Sequence, residues 1–171
     1  MWLTDIANKH PISHNFSKGG IRKPIHGLVL HIQEGTEAGT RSWFNNPAAK
    51  ASAHFGNPKV GRMEQFVDTN DMAWAQRAGN HNWISIENEG KHGDALTSSQ
   101  ILNVSMLMNW LHDNEDVPLE LAQNPAAFGL GYHSMGGNAW GHIYCPGDTI
   151  IRQRPLILAI ALLTRMPGIS I

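Results

Sequence analysis

One stretch constrains this chain more than any other: Gly131 to Asp148, which reads GYHSMGGNAWGHIYCPGD. It contains the single cysteine, Cys145, and two of the ten histidines, His133 and His142. Glycines around these side chains allow the backbone to bend sharply about a small object. Pro146 and Gly147 add a turn that sets the direction of Cys145. A thiolate and an imidazole close in sequence suit zinc, but two ligands do not hold a metal. The rest of the chain must therefore supply at least one more. A lone cysteine also forms no internal disulfide, so the fold has to rest on its core. At 171 residues, one domain can bury a core of sufficient size.

A candidate third ligand stands on the first strong strand signal, Ile25 to Ile32 (IHGLVLHI), a short apolar run bounded by turn residues, although a histidine there also reads as a satisfied half-buried one. A buried strand delivering His31 near its C-terminal tip gives a rigid ligand position. His31, His133 and Cys145 would form a three-ligand zinc site with one position open, the catalytic arrangement. His142 precedes Cys145 by three residues, so spacing alone also permits a closed, four-ligand structural site. A zinc-acidified water needs a carboxylate base and a donor for the oxyanion. Trp83 to Glu89 (WISIENE) alternates with period 2, and as a strand it delivers Glu87 and Glu89 at its end. Glu89 reads as a solvated edge residue.

The remaining pattern indicates an α/β domain, with a central mixed sheet flanked by helices. Thr36 caps a helix over Glu37 to Phe44. Ser52 to Asn57 and Arg62 to Val67 pair as a hairpin around Lys59 to Gly61, and Asp68 to Trp74 is a short helical turn. Thr97 and Gln100 form a capping box for a helix over Ser98 to Asp113, with Ile101, Val104, Leu107, Met108 and Leu111 as its core stripe. Pro155 opens a last helix that runs to about Met166 and is apolar nearly all round, so it should be buried. Residues 1–24 form an irregular N-terminal arm, and 25–171 form the domain proper.

Several function classes are disfavoured. The formal net charge is -1, so nothing favours nucleic acid. The longest apolar run, Pro155 to Leu163, is far short of the ~20 residues that span a bilayer. The first residues, MWLTDIANKHPISHNF, show no basic segment followed by an apolar run, so no signal peptide is expected. Neither a phosphate-binding G-x-x-x-x-G-K-[ST] loop nor a G-x-S-x-G elbow is present. A Cys145–histidine thiol hydrolase is possible, but Cys145 precedes Pro146, with no helix expected to start there and stabilise a thiolate.

Taken in order, GLVLHIQEG, SAHF, AW, SIENEG and GYHSMGGNAWGHIYCPGD resemble the zinc-dependent N-acetylmuramoyl-L-alanine amidases of the type 2 class. That class includes phage amidase-type lysozymes and the peptidoglycan recognition proteins. The resemblance extends over about Ile25 to Ala161. It implies one zinc ion per chain on His31, His133 and Cys145, with Glu87 as general base and His54 and Trp74 lining the substrate groove. Members usually carry Lys or Thr two residues before the last ligand. Ile143 stands there, which points to His142 as the oxyanion donor. The implied reaction is hydrolysis of the amide between the lactyl group of N-acetylmuramic acid and L-alanine, in peptidoglycan or muropeptides. The implied setting is a monomeric phage endolysin, or an enzyme cytoplasmic until released. The alternatives are a non-catalytic peptidoglycan-binding module and the thiol hydrolase.

Overall fold

The computed structural model describes residues 1–168; residues 169–171, the end of the expected domain, lie outside them. In chain order the regular elements are β1 (Ala7–Lys9), β2 (Phe16–Ser17), β3 (Gly27–Ile32), α1 (Glu37–Phe44), β4 (Phe55–Asn57), β5 (Met63–Gln65), β6 (Met72–Ala73), β7 (Trp83–Asn88), α2 (Ser98–Glu115), β8 (Gly129–Tyr132), the single turn α3 (Gly137–Trp140) and α4 (Asp148–Leu163). Six strands form one mixed sheet in the order β1-β5-β4-β7-β3-β8. Only the β4–β5 hairpin is antiparallel within it. Strands β2 and β6 make a separate antiparallel pair.

The period of two along β3 and β7 assigns each side chain to a layer. Leu28, Leu30 and Ile32, with Ile84 and Ile86, face the main core beneath α2 and α4. Val29, with Trp83, faces the opposite side, where Trp140 packs. His31 and Glu87 also point to that side, and they are register partners on adjacent parallel strands. The sheet pattern alone thus sets a histidine beside a carboxylate at the same level. Asn88 supports the strand end from the other face, its Nδ2 donating to the His31 carbonyl at 2.8 Å. The β3–β8 pair is tight: a Cβ on Gly27 would lie 1.8 Å from the Gly129 carbonyl oxygen.

The caps follow the sequence rules. Thr36 accepts from the Gly39 N–H, and Thr97 with Gln100 forms both halves of the capping box. Elsewhere the local reading is corrected. Residues 68–74 are not a helical turn, because Met72–Ala73 pairs with Phe16–Ser17. The N-terminal stretch is not irregular throughout, since β1 forms an edge of the sheet and Leu3 and Ala7 are buried in the main core.

The last helix begins at Asp148, not Pro155, and carries that proline inside it. A proline lacks the N–H that would bond the carbonyl four residues back. Arg154 Nε takes over, donating to the Ile151 carbonyl at 3.2 Å. The same guanidinium donates to the Ala122 and Leu130 carbonyls and lies 4.4 Å from the Tyr132 ring centre, tying the helix to β8. Nor is α4 buried all round, since Leu156, Leu162 and Leu163 are exposed. Among the described residues, no helix is long and apolar enough to cross a membrane.

Candidate metal centre and groove

Three elements converge on the face opposite the main core. β3 carries His31, the turn after β8 carries His133, and the loop before α4 carries Cys145. One ligand atom from each lies within 4.8 Å of the others. The ring nitrogens are already sorted. His31 Nε2 donates to Gln76 Oε1 at 3.2 Å, and His133 Nε2 donates to the Trp140 carbonyl at 3.1 Å. This leaves the Nδ1 lone pair of each ring for another partner. His133 Nδ1 is buried and has no hydrogen-bond partner. Burial holds both imidazoles below their ordinary range, His133 to about 4, so both are neutral, the form that ligates metal. Burial pushes the Cys145 thiol far up, and the Glu87 charge adds to this. A partly buried thiol beside two neutral imidazoles, one with an orphaned nitrogen, fits a zinc ion well.

Glu87 faces the group from β7. Its Oε1 lies 3.8 Å from His31 Nδ1, while Oε2 is buried without a partner. Burial and then the carboxylates of Glu37 and Glu34 raise it to about 8. His142 adopts a left-handed backbone, φ 46°, and is exposed. Its ring centre is 5.5 Å from that of His133, and it stands outside the three-residue ligand group.

These residues sit in a groove of about 750 Å³, walled by α1 on one side and by Tyr144 on the other. Trp74 lines it, with its indole N–H donating to Ser17 Oγ at 3.0 Å. His54, expected in the groove wall, does not line it. It is fully buried, with Nδ1 accepting from the Ser85 N–H and Nε2 donating to the Asp71 carbonyl. Burial lowers it to about 4, which marks a neutral core histidine that ties β4 to β7 and to the 68–74 segment. The premise that no helix starts near Cys145 also fails, because α4 begins three residues on. Burial outweighs any help from that terminus.

Sequence reasoning overlooked Glu37. It is buried at the start of α1, and Gln33 Nε2 donates to its Oε2 at 2.6 Å, while Oε1 has no partner. Burial raises its carboxyl to about 7 from an ordinary 4.5. A folded value above the unfolded one means the native state binds the proton more tightly. The resulting stabilisation is complete below about pH 4.5 and is lost as pH rises through about 7. Denaturant titrations of the protein should therefore lose on the order of 2–3 kcal/mol between acidic and mildly alkaline pH from this group. Glu37→Gln should remove that part of the slope. An unchanged slope would mean the carboxyl is not held protonated. Its only sequence signal was an acid in the first turn of a helix, where acids are ordinary.

The comparisons with known proteins agree with this architecture. In fold, the chain is similar to solved single-domain amidases and hydrolases. Staphylococcus aureus hydrolase AmiA superposes with a TM-score of 0.76 at 16% identity, over 96% of this chain and 86% of that one. AmpD superposes at 0.70 and 19% identity, over 92% and 96%. The endolysin LysCS of Clostridium intestinale superposes at 0.61 and 13%, over 89% and 95%. Residues 21–148 match the N-acetylmuramoyl-L-alanine amidase family, and the chain belongs to it. It is also 39% identical over 80 residues to N-acetylmuramoyl-L-alanine amidase A of Achromobacter lyticus. That match spans 46% of this chain and 45% of the relative.

Proposed function

We propose that this chain hydrolyses the amide between the lactyl group of N-acetylmuramic acid and L-alanine of peptidoglycan, using one zinc ion per chain. The observation that carries the reading is the gathering of His31, His133 and Cys145 within 4.8 Å, with both imidazoles turned by their Nε2 hydrogen bonds. Membership of the amidase family supports the choice of substrate. When bound, zinc supplies a Lewis acid that acidifies water, polarises a carbonyl oxygen and favours the ionised forms of Cys145 and Glu87.

The chain's own residues do the rest. His31, His133 and Cys145 would hold the ion from three separate elements. Glu87, placed by strand register beside His31, accepts a proton from the attacking water at its carboxylate and passes it to the departing L-alanine amine. His142, at the open side of the group, donates to the oxygen that becomes negative as the carbonyl is attacked. Trp74 and α1 shape the groove that aligns the stem peptide. The working unit is the domain as a monomer, with β1 and the buried Leu3 and Ala7 as part of it. Peptidoglycan is its partner, with neither nucleic acid nor membrane insertion involved, and wall lysis after release is its setting.

Metal analysis paired with muropeptide cleavage tests this. About one zinc per chain is expected, with new L-alanine amino termini formed only in the zinc-loaded protein and abolished by chelator. Cleavage that survives chelation would indicate the thiol hydrolase, and zinc without cleavage a binding module. In the same assay His142→Ala should keep zinc and lose rate; loss of zinc would make His142 a ligand.

A further inference from the structure

The groove has a charge imbalance that amide hydrolysis does not itself require. Twenty residues line it, none of them Lys or Arg, while Glu34 and Glu87 contribute carboxylates. A smaller adjoining cavity of about 260 Å³ shares His92 and Tyr144 with the groove. It contributes another carboxylate, Asp148, and again no Lys or Arg. Arg77, close enough to influence His133, lines neither cavity and packs against Gly141, where an added Cβ would lie 3.1 Å from its Cζ.

Glu34 is the fixed member of this set. Its backbone is left-handed, φ 56°, a conformation few residues with side chains adopt. The reciprocal hydrogen bonds of Gly35 and Gly90, 3.0 and 3.2 Å, anchor the next residue. Its Oε1 accepts the His92 N–H at 3.0 Å. Among the described residues, no Lys or Arg forms a salt bridge with it. It is exposed at the groove, and its charge is felt at Glu87 and Cys145. A carboxylate held in place before binding loses little conformational freedom when a cation arrives.

We propose that Glu34 is a specificity residue that receives an ammonium group of the substrate. The groove then takes stem peptides with a free amine on their diamino acid and amidated backbone carboxylates, in preference to stems rich in free carboxylates. This rests on the amidase reading above. An ammonium gains a charge-assisted hydrogen bond at Glu34. A free stem carboxylate placed at Glu34 meets a fixed carboxylate and no Lys or Arg in the groove lining, which is repulsive discrimination.

The test uses zinc-loaded protein and two muropeptides of one composition, their diamino-acid amine free in one and N-acetylated in the other. Wild type should favour the free amine in kcat/KM by about 5–10-fold. Glu34→Gln should bring that ratio close to one, and Glu34→Lys should turn the preference toward stems with free carboxylates. Mere structural damage would lower both rates and leave their ratio. A wild type indifferent to acetylation, or a Glu34→Gln protein that keeps the preference, overturns the proposal. If wild type cleaves neither muropeptide, the amidase reading fails instead. Calorimetric binding of the same two compounds then decides the Glu34 assignment, and equal affinities overturn it.

Discussion

Cys145→Ala is expected to bind no zinc after desalting and to lose muramoyl-amide hydrolysis by about 10³-fold or more. Two imidazoles alone are a poor zinc site, and the thiolate is the ligand whose charge offsets that of the ion. The loss should come from the site and not from unfolding. Cys145 is only partly buried against the main core, and the change removes one sulfur atom. A thermal melt of the metal-free wild type, compared with the variant, checks this: the two should nearly coincide. Added zinc should raise the wild-type melting temperature and leave that of Cys145→Ala unmoved, because only a state that binds ligand is stabilised by it. A variant that kept a full equivalent of zinc would mean that His142 or Glu87 completes the site, and the three-ligand assignment would be wrong.

Glu87→Gln should do the opposite: keep the zinc and lose turnover by about 10²–10⁴-fold, the span of a general acid–base contribution. The amide has the shape of the carboxylate but accepts no proton. Position alone would be unchanged, since register on β7 places residue 87 opposite His31 whatever its side chain. One carboxylate oxygen stands near His31 Nδ1, and the other is buried without a partner. That second oxygen is costly to bury unless the site supplies its proton or its charge partner during use. Zinc content and kcat measured on the same preparation separate the two roles. Full activity in Glu87→Gln would remove Glu87 as the base and leave His142 as the group to examine.

Much of this was legible in the chain. The strand signals over Ile25 to Ile32 and Trp83 to Glu89 deliver His31 and Glu87 near two strand ends, although only the parallel pairing of β3 with β7 in the fold puts them opposite each other. The capping box at Thr97 and the cap at Thr36 mark two helix starts to the residue. Glycines and the Cys-Pro-Gly-Asp turn mark the loop that returns Cys145 to the sheet. These are local rules, set by backbone geometry and by side chains within a few residues, and a sequence carries them directly.

What tertiary structure decided depends on partners far away in the chain. Pro155 reads as a helix start because a proline removes one backbone donor. It sits inside α4 because Arg154, held by the carbonyls of Ala122 and Leu130, supplies the missing donor. His54 reads as a groove residue, but Ser85 and Asp71 engage both its nitrogens in the core. Met72–Ala73 becomes a strand only because Phe16–Ser17 lies beside it. Glu37 and Glu34 look alike in sequence, two acids three residues apart. Glu37 is buried against Gln33 and Glu34 is exposed in the groove lining, a difference set by which side chains and strands close over each of them. Sequence by itself marked the β3 and β7 strands, two helix caps and the residue types that suit a metal. The folded chain decided which polar groups lost water and which kept it, because desolvation depends on everything packed around a group and not on its neighbours in the chain.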